Sequence, residues 1–238
     1  MNILLLGRGK TGSLVAEVAR QRGHDLRIAG ATENTDRAAL AADKLQNIDL
    51  VIDFTTPHCV VENIEACARA GKSMVVGTTG WYAQLDRIRA LVEDHGTGFL
   101  YAANFSVGVN LFLDVARTAA AALEHEYSGQ IFERHHVHKQ DAPSGTALAI
   151  QSVIRESGGR NAATSSRKSK DEDIQIVSFR EGDVVGMHEI ILESAADRIY
   201  LCHDAKSRQG FAEGAVRAAE WLGAKKGFYD FKNVWQHL

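Results

Sequence analysis

The chain has few cysteines and no pattern that would pair them. Cys59, Cys67 and Cys202 are odd in number and far apart, and no CxxC pair occurs. A disulfide framework and a cysteine-built zinc site are therefore excluded, and a reducing cytoplasm is the compartment that fits. A long apolar run is also missing. The opening MNILLLG is broken at Gly7, too early for a signal core or a membrane span. Positive charge is not in excess: 27 Lys and Arg stand against 30 Asp and Glu, a net charge of −3. This argues against a general nucleic-acid or membrane-surface binder, so a site for an anion has to be basic locally. There is no internal repeat. The one biased stretch is SGGRNAATSSRKSKDED, Ser157 to Asp173, whose basic run reads as a solvated, flexible loop.

What is present is an ordinary globular composition, 238 residues with 45% apolar and 24% charged, enough for one large domain or two modest ones. The first half alternates. NILLLG is a continuous apolar run, as in a strand buried on both faces, and SLVAEVARQRG has helical spacing closed by Gly23. HDLRIAG, IDLVIDFTTP, SMVVGTTG and GFLYAANF read as further strands, with helices in RAALAADKLQN, VVENIEACARAG and AQLDRIRALVEDHG. Such alternation predicts a parallel sheet with helices on both faces. After Phe105 the rhythm changes. A long helix (GVNLFLDVARTAAAALEHEY) precedes a strand near Gln130–Glu133, and SGTALAIQSVIRES reads as a helix capped by Ser144. DIQIVSFR, VVGMHEIILES and RIYLCHDA then read as three strands joined by short turns, which predicts antiparallel pairing. The fold class expected is α/β: a Rossmann-type parallel sheet plus a second α+β domain with a mixed or antiparallel sheet. The expected domains are 1–104 and 105–208, with the last helix, in 209–238, returning to the first.

Gly7, Gly9 and Gly12 satisfy G-x-G-x-x-G directly after a buried strand and at the start of a helix. There glycine permits a tight turn and close approach to a pyrophosphate, and the helix N-terminus offers free N–H groups. A P-loop is excluded, because Leu4 stands where that motif needs a glycine five positions before Gly9. Glu33 is the nearest acidic candidate for a ribose hydroxyl, or else a solvated loop charge, and NAD and NADP are not separated. DFTTP (Asp53–Pro57) and VVGTTGW (Val75–Trp81) end the third and fourth strands, where ligands bind in open parallel sheets. Gly77, Thr78 and Thr79 offer backbone and hydroxyl groups to a nicotinamide amide; the alternative for each threonine is a local turn hydrogen bond.

The most concentrated chemistry lies in ERHHVHKQDAPSGTALA, Glu133 to Ala149. A metal site is disfavoured: His136 and His138 share a strand face while His135 points away, no cysteine or acidic partner stands at ligand spacing, and Lys139 repels a cation. A plain surface loop is the other simple reading. Against it, Ser144 is a good N-cap, Gly145 lets backbone approach a ligand, and an apolar helix follows. A helix N-terminus beside a lysine suits a carboxylate or phosphate, with a histidine as proton donor.

This stretch, as ExHHxHKxDAPSGTA, resembles the signature of the 4-hydroxy-tetrahydrodipicolinate reductase (dihydrodipicolinate reductase) family, of the diaminopimelate route to lysine. GTTGW, AANFSVGVN, GDVVGMHE and SRQGFAEGAVRAAEWL resemble further family blocks in the same order. The resemblance implies a dinucleotide-binding domain from both chain ends and an inserted substrate domain whose sheet builds a homotetramer. It implies hydride transfer from NADH or NADPH to a cyclic, unsaturated nitrogen-ring dicarboxylate. On the matching positions His135 is the proton donor and Lys139 its partner in substrate binding and catalysis, while His136, Ser144, Gly145 and Thr146 hold a carboxylate. The cofactor set comprises Gly7, Gly9, Lys10, Thr11, Gly12 and Glu33, then Phe54, Thr55, Gly77, Thr78, Thr79, Ala102, Asn104 and Phe105. No metal is implied. The glycine loop is one residue shorter than in many members, with Thr11 where methionine is common, so cofactor preference stays open. His138 reads as bonding its own loop; Arg180 and His188 either approach the site or face solvent, and Arg208, just before the final helix, is a hinge or a cofactor contact without an assigned role. The two domains must close to bring hydride donor and ring within about 3–3.5 Å. The rivals are another two-domain dehydrogenase, acting on an amino acid or aldehyde, and a dinucleotide-sensing module without turnover.

Overall fold

The apolar run at the amino terminus forms β1 (Asn2–Leu6), and its alternate side chains enter two separate cores. Ile3 and Leu5 join one and Leu4 and Leu6 the other, the period-2 consequence of a strand covered on both faces. The computed structural model describes residues 1–158 and 174–238, so the basic run Arg167–Lys170 lies outside the described residues. The chain divides into two compact units, Met1–Val107 with Arg208–Leu238, and Gly108–Ser207.

The first unit is a six-stranded, wholly parallel sheet. Its other strands are β2 (Asp25–Ala29), β3 (Leu50–Asp53), β4 (Ser73–Val76), β5 (Gly98–Tyr101) and β10 (Gly227–Asp230), in the order β10-β5-β4-β3-β1-β2. On one face lie α1 (Lys10–Gln21) and α7 (Gln209–Leu222), contributing Val15, Ala19, Ala215, Val216 and Leu222 to one core. On the other lie α3 (Val60–Arg69) and α4 (Leu85–Asp94), contributing Val60, Ile64, Ile88 and Val92. One expectation is corrected here, and one strand stands where none is expected. RAALAADKLQN is not one helix: a 3-10 stretch, Thr35–Leu40, bends through positive φ at Asp36 and Arg37 before the short α2 (Ala42–Leu45). The strand β10 has no periodic signal in GFYD and exists because β5 offers it an edge.

Small residues in α7 allow close packing. A Cβ on Gly214 would lie 1.8 Å from the Phe105 carbonyl oxygen, so the helix can approach that backbone only without one. Gly214→Ala should therefore destabilise the protein by about 1–3 kcal/mol, although alanine is the better helix former by roughly 1 kcal/mol. A denaturant midpoint equal to the parent's would contradict this.

In the second unit α5 (Val107–Ala119) shortens into a 3-10 segment, Ala120–His125, ahead of β6 (Ser128–His135). α6 (Gly145–Ser157) follows, then β7 (Ile174–Arg180), β8 (Met187–Glu193) and β9 (Arg198–Asp204). The sheet is mixed, in the order β7-β6-β8-β9. The expected antiparallel trio is thus corrected: only β8 and β9 pair in that way, while β7 runs parallel to β6, which separates it from β8. One face carries α5 and α6, whose Phe112, Ala116, Ala147, Ile150 and Ile154 pack on Ile131, Ile174, Ile190 and Leu192.

Candidate active site

In the first unit the site starts at the turn between β1 and α1. Gly7 has φ +104, and a Cβ there would lie 2.2 Å from the Phe54 carbonyl oxygen, so the turn and its contact with the end of β3 both require glycine. The strand order reverses between β1 and β3, with β2 on one side and β4 on the other, the position where open parallel sheets bind ligands. A cavity of about 270 Å³ opens there, lined by Gly9, Lys10, Thr11, Gly12, Phe54, Thr55, Pro57, Gly77, Thr78 and Thr79. The residues fit a dinucleotide. A Cβ on Gly9 would meet nothing within 4 Å, which leaves room for a phosphate. α1 begins with no side-chain cap and no acidic residue in its first turn, so its N–H groups and positive dipole end face that room.

The other cofactor candidates lie off this lining. Glu33 accepts from Gly30 N–H at 3.0 Å and pairs with Arg8 at 2.7 Å. Ala102 is buried and donates its N–H to Val76. Asn104 Oδ1 accepts from Ser106 N–H, and the Phe105 ring sits 6.1 Å from that of Phe54. A residue without an assigned part organises the cavity's rim. Asp53, fully buried, accepts from Thr55 N–H and Oγ1–H, Thr78 Oγ1–H and Asn63 Nδ2–H. The hydroxyls of Thr55 and Thr78 both donate to Asp53, for Thr78 a bond between strand ends 25 residues apart in the chain and not a local turn bond. Burial pushes the Asp53 carboxyl up, and these donors oppose it.

In the second unit the site is built where β6 ends and α6 begins. Ser144 caps α6, its Oγ accepting from Ala147 N–H at 3.1 Å. The first turn has no acidic residue, and a Cβ on Gly145 would meet nothing within 4 Å. Gly145 and Thr146 therefore present open N–H groups to an anion. His135 is buried at the end of β6, and Lys139 Nζ donates to both oxygens of Asp141 at 2.7 Å. The rings of His136 and His138 lie 6.3 Å apart.

Strand pairing adds three groups that the sequence left unassigned. Glu133 stands opposite His188 across β6 and β8, and His135 opposite Arg180 across β6 and β7. Glu133, with no exposed surface, accepts Ser144 N–H on both oxygens at 3.0 and 3.1 Å. The Arg180 guanidinium lies 3.4 Å from it and also donates to the carbonyls of Lys139 and Asp141, fastening that loop to β7. His188 Nε2 is 3.1 Å from Ser144 Oγ. Burial, then the neighbouring His135, pushes the His188 imidazole down to about 4. Glu133, His135 and His188 could each turn one ligand atom toward a common point. However, both Glu133 oxygens already accept hydrogen bonds, and Arg180 and Lys139 supply the positive charge that a cation would bring. The signal for Glu133 was in the sequence: a charged residue at an inward position of QIFERH, in step with Ile131.

A dinucleotide-type loop in one unit, and a histidine–lysine anion site at a helix start in the other, define an α/β oxidoreductase. The comparisons with known proteins narrow this. Residues 1–105 match the family model described as dihydrodipicolinate reductase, N-terminus, and residues 108–235 match its C-terminus. The chain belongs to the dihydrodipicolinate reductase family. It is 36% identical over 242 residues to the 4-hydroxy-tetrahydrodipicolinate reductase of Christiangramia forsetii, covering 100% of this chain and 99% of that one. Among solved structures it resembles a dipicolinate-bound dihydrodipicolinate reductase from Paenisporosarcina sp. TG-14, with TM-score 0.78, 24% identity, and 98% and 99% of the two chains covered. It also resembles aspartate dehydrogenase from Thermotoga maritima, at TM-score 0.51, 12% identity, and coverage of 94% and 97%. The latter shares the fold alone, so the rival reading as an amino-acid dehydrogenase finds support only in architecture.

Proposed function

We propose that the chain reduces 4-hydroxy-tetrahydrodipicolinate to tetrahydrodipicolinate in the diaminopimelate route to lysine, with NADH or NADPH held at the glycine loop and His135 as proton donor. The cofactor supplies the hydride; the remaining work falls to side chains and backbone of the protein. The supporting observation is one strand–loop–helix that carries an imidazole, an ammonium and an open helix start together, in a chain whose halves match the two halves of the family.

The ring's carboxylates carry two negative charges. One is received by the N–H groups of Gly145 and Thr146 at the start of α6, with His136 beside them, and Ser144, whose own N–H goes to Glu133, sets that helix start; the other meets Lys139. Asp141 holds the Lys139 ammonium in place, and that ammonium in turn holds the Asp141 carboxyl below its usual range. Burial chiefly, aided by the positive charges of Lys139 and Arg180, lowers the affinity of His135 for a proton, against the opposing pull of Glu133. A dianion set against these cations cancels part of their field and raises the imidazole toward protonation. Substrate binding therefore charges the proton donor at the moment it is needed.

The test is loss of nicotinamide absorbance when the purified protein meets 4-hydroxy-tetrahydrodipicolinate and reduced cofactor, with no such loss for simple aldehydes and no gain for aspartate given the oxidised cofactor; turnover of those instead would sink the assignment. Lys139→Ala should weaken binding of a pyridine dicarboxylate analogue by at least about tenfold, the worth of one charge-assisted hydrogen bond. Equal affinity by calorimetric titration would remove Lys139 from the substrate site. A homotetramer is part of the same reading. It draws support from Phe179 and Tyr200, 45% and 56% exposed on strands of the second unit's sheet, an apolar surface suited to a second copy. A cytoplasmic setting is supported by three free cysteines and by the lack of a helix long and apolar enough to cross a membrane among the described residues.

A further inference from the structure

We propose that Glu133 is the positioning residue of this site. Its carboxylate fixes the His135 imidazole through Nδ1, so that Nε2 is the atom that releases the proton. The same carboxylate fastens the start of α6, where the substrate's carboxylate is received. The proposal rests on His135 being the proton donor and goes beyond it by naming the group that aims it.

On β6 the side chains of Ile131, Glu133 and His135 are all buried at alternate positions, so they share one face. Ile131 belongs to the core, and a carboxylate two residues further along is costly there unless it is satisfied. It is satisfied by the Ser144 N–H at the positive end of α6 and by Arg180. Burial would raise its proton affinity, but the Ser144 and Ser178 hydroxyls, the Ser144 N–H and His135 outweigh burial and keep it ionised.

His135 Nδ1 lies 3.5 Å from Glu133 Oε2 and is buried with no hydrogen-bond partner. A lone pair at Nδ1 would face an anionic oxygen and be repelled, whereas an N–H there is attracted. The neutral imidazole therefore carries its hydrogen on Nδ1, and the second proton enters and leaves at Nε2. At Nε2 the neighbour is Gly186, where a Cβ would stand 3.1 Å away, and glycine leaves that approach open. The charged and titratable groups facing His135 are Glu133, Lys139, Arg180, Asp141 and His188. His188, 3.8 Å from the same Glu133 oxygen, is engaged with Ser144 Oγ, and Asp141 is engaged with Lys139. Glu133 is thus the one buried acid facing the ring.

The test is Glu133→Gln, which keeps an acceptor for the Ser144 N–H and removes the charge. With substrate and cofactor saturating, kcat should fall roughly tenfold or more. The alkaline limb of its pH profile should move toward acid by about one pH unit, because the imidazolium has lost its counter-charge. KM for the substrate should change less than about threefold. A limb that stays at the parent's position overturns the proposal whatever the rate, since a purely structural defect lowers rate without moving it. Should Glu133→Gln fail to fold, NMR of nitrogen-labelled histidine in the parent protein decides. The Nδ1–H tautomer at neutral His135 supports the proposal, and the Nε2–H tautomer overturns it. Parental turnover in His135→Gln would overturn the premise instead, so the two failures are told apart.

Discussion

Replacing His135 by glutamine is expected to lower turnover by about a hundredfold or more, the usual worth of a positioned general acid, while cofactor affinity stays near the parent's. Glutamine keeps much of the side chain's reach and its capacity to hydrogen-bond, but it has no proton to give at neutral pH. The loss therefore appears in kcat, because the missing interaction belongs to the transition state. Cofactor affinity survives because the cavity-lining residues from Gly9 to Thr79 all belong to the other compact unit. Steady-state turnover and a nicotinamide fluorescence titration measure the two quantities separately. Turnover equal to the parent's would take His135 out of the mechanism; a matched loss of cofactor binding would mean that the substitution had damaged the fold.

The second large effect is on stability below neutral pH. His188 is buried, with its imidazole at about 4 against an ordinary value of 6.5. The unfolded chain therefore takes up a proton that the folded chain refuses as pH falls from about 6.5 to about 4. The direction follows: the fold has its full stability above 6.5 and loses it progressively down to about 4, by something on the order of 3 kcal/mol from this residue. His135 and His203, also pushed down chiefly by burial, add to the slope with the same sign. Glu133, held below its usual range, contributes its own loss at still lower pH. Unfolding in denaturant at pH 7, 5 and 4 measures the slope, and His188→Gln isolates this part of it. The substitution keeps a donor for Ser144 Oγ and removes the titration, so the slope should flatten. An unchanged slope would show that His188 titrates normally in the folded state.

What could be read from the residues depended on the range of the interaction. β1, its glycine loop and α1 were legible because turn, strand and helix are local, and the Ser144 cap was legible because its acceptor and donor are three residues apart. Glu133 carries no such local sign of its part, and for Arg180 and His188 the sequence leaves open whether they approach the site or face solvent. Their meeting depends on β6 lying between β7 and β8, a pairing that no local pattern encodes. The same limit explains the expectation that β7 and β8 would pair: a short turn argues for a hairpin, but the edge already taken by β6 prevents it. β10 was missed for the complementary reason. Four residues with no alternation become a strand only because β5 leaves one side open. Asp53 reads in the sequence only as the end of a strand, whereas its three-sided hydrogen bonding joins β3, α3 and the turn after β4, distances of up to 25 residues along the chain.

The position of α7 and β10 bears on how the molecule is made. The sixth strand and one covering helix of the nucleotide-binding unit follow the inserted unit in the chain. During synthesis the insert, residues 108–207, has emerged in full before those last pieces exist. Until they do, the first 107 residues have β5 unpaired on one side and the α7-facing part of their core uncovered.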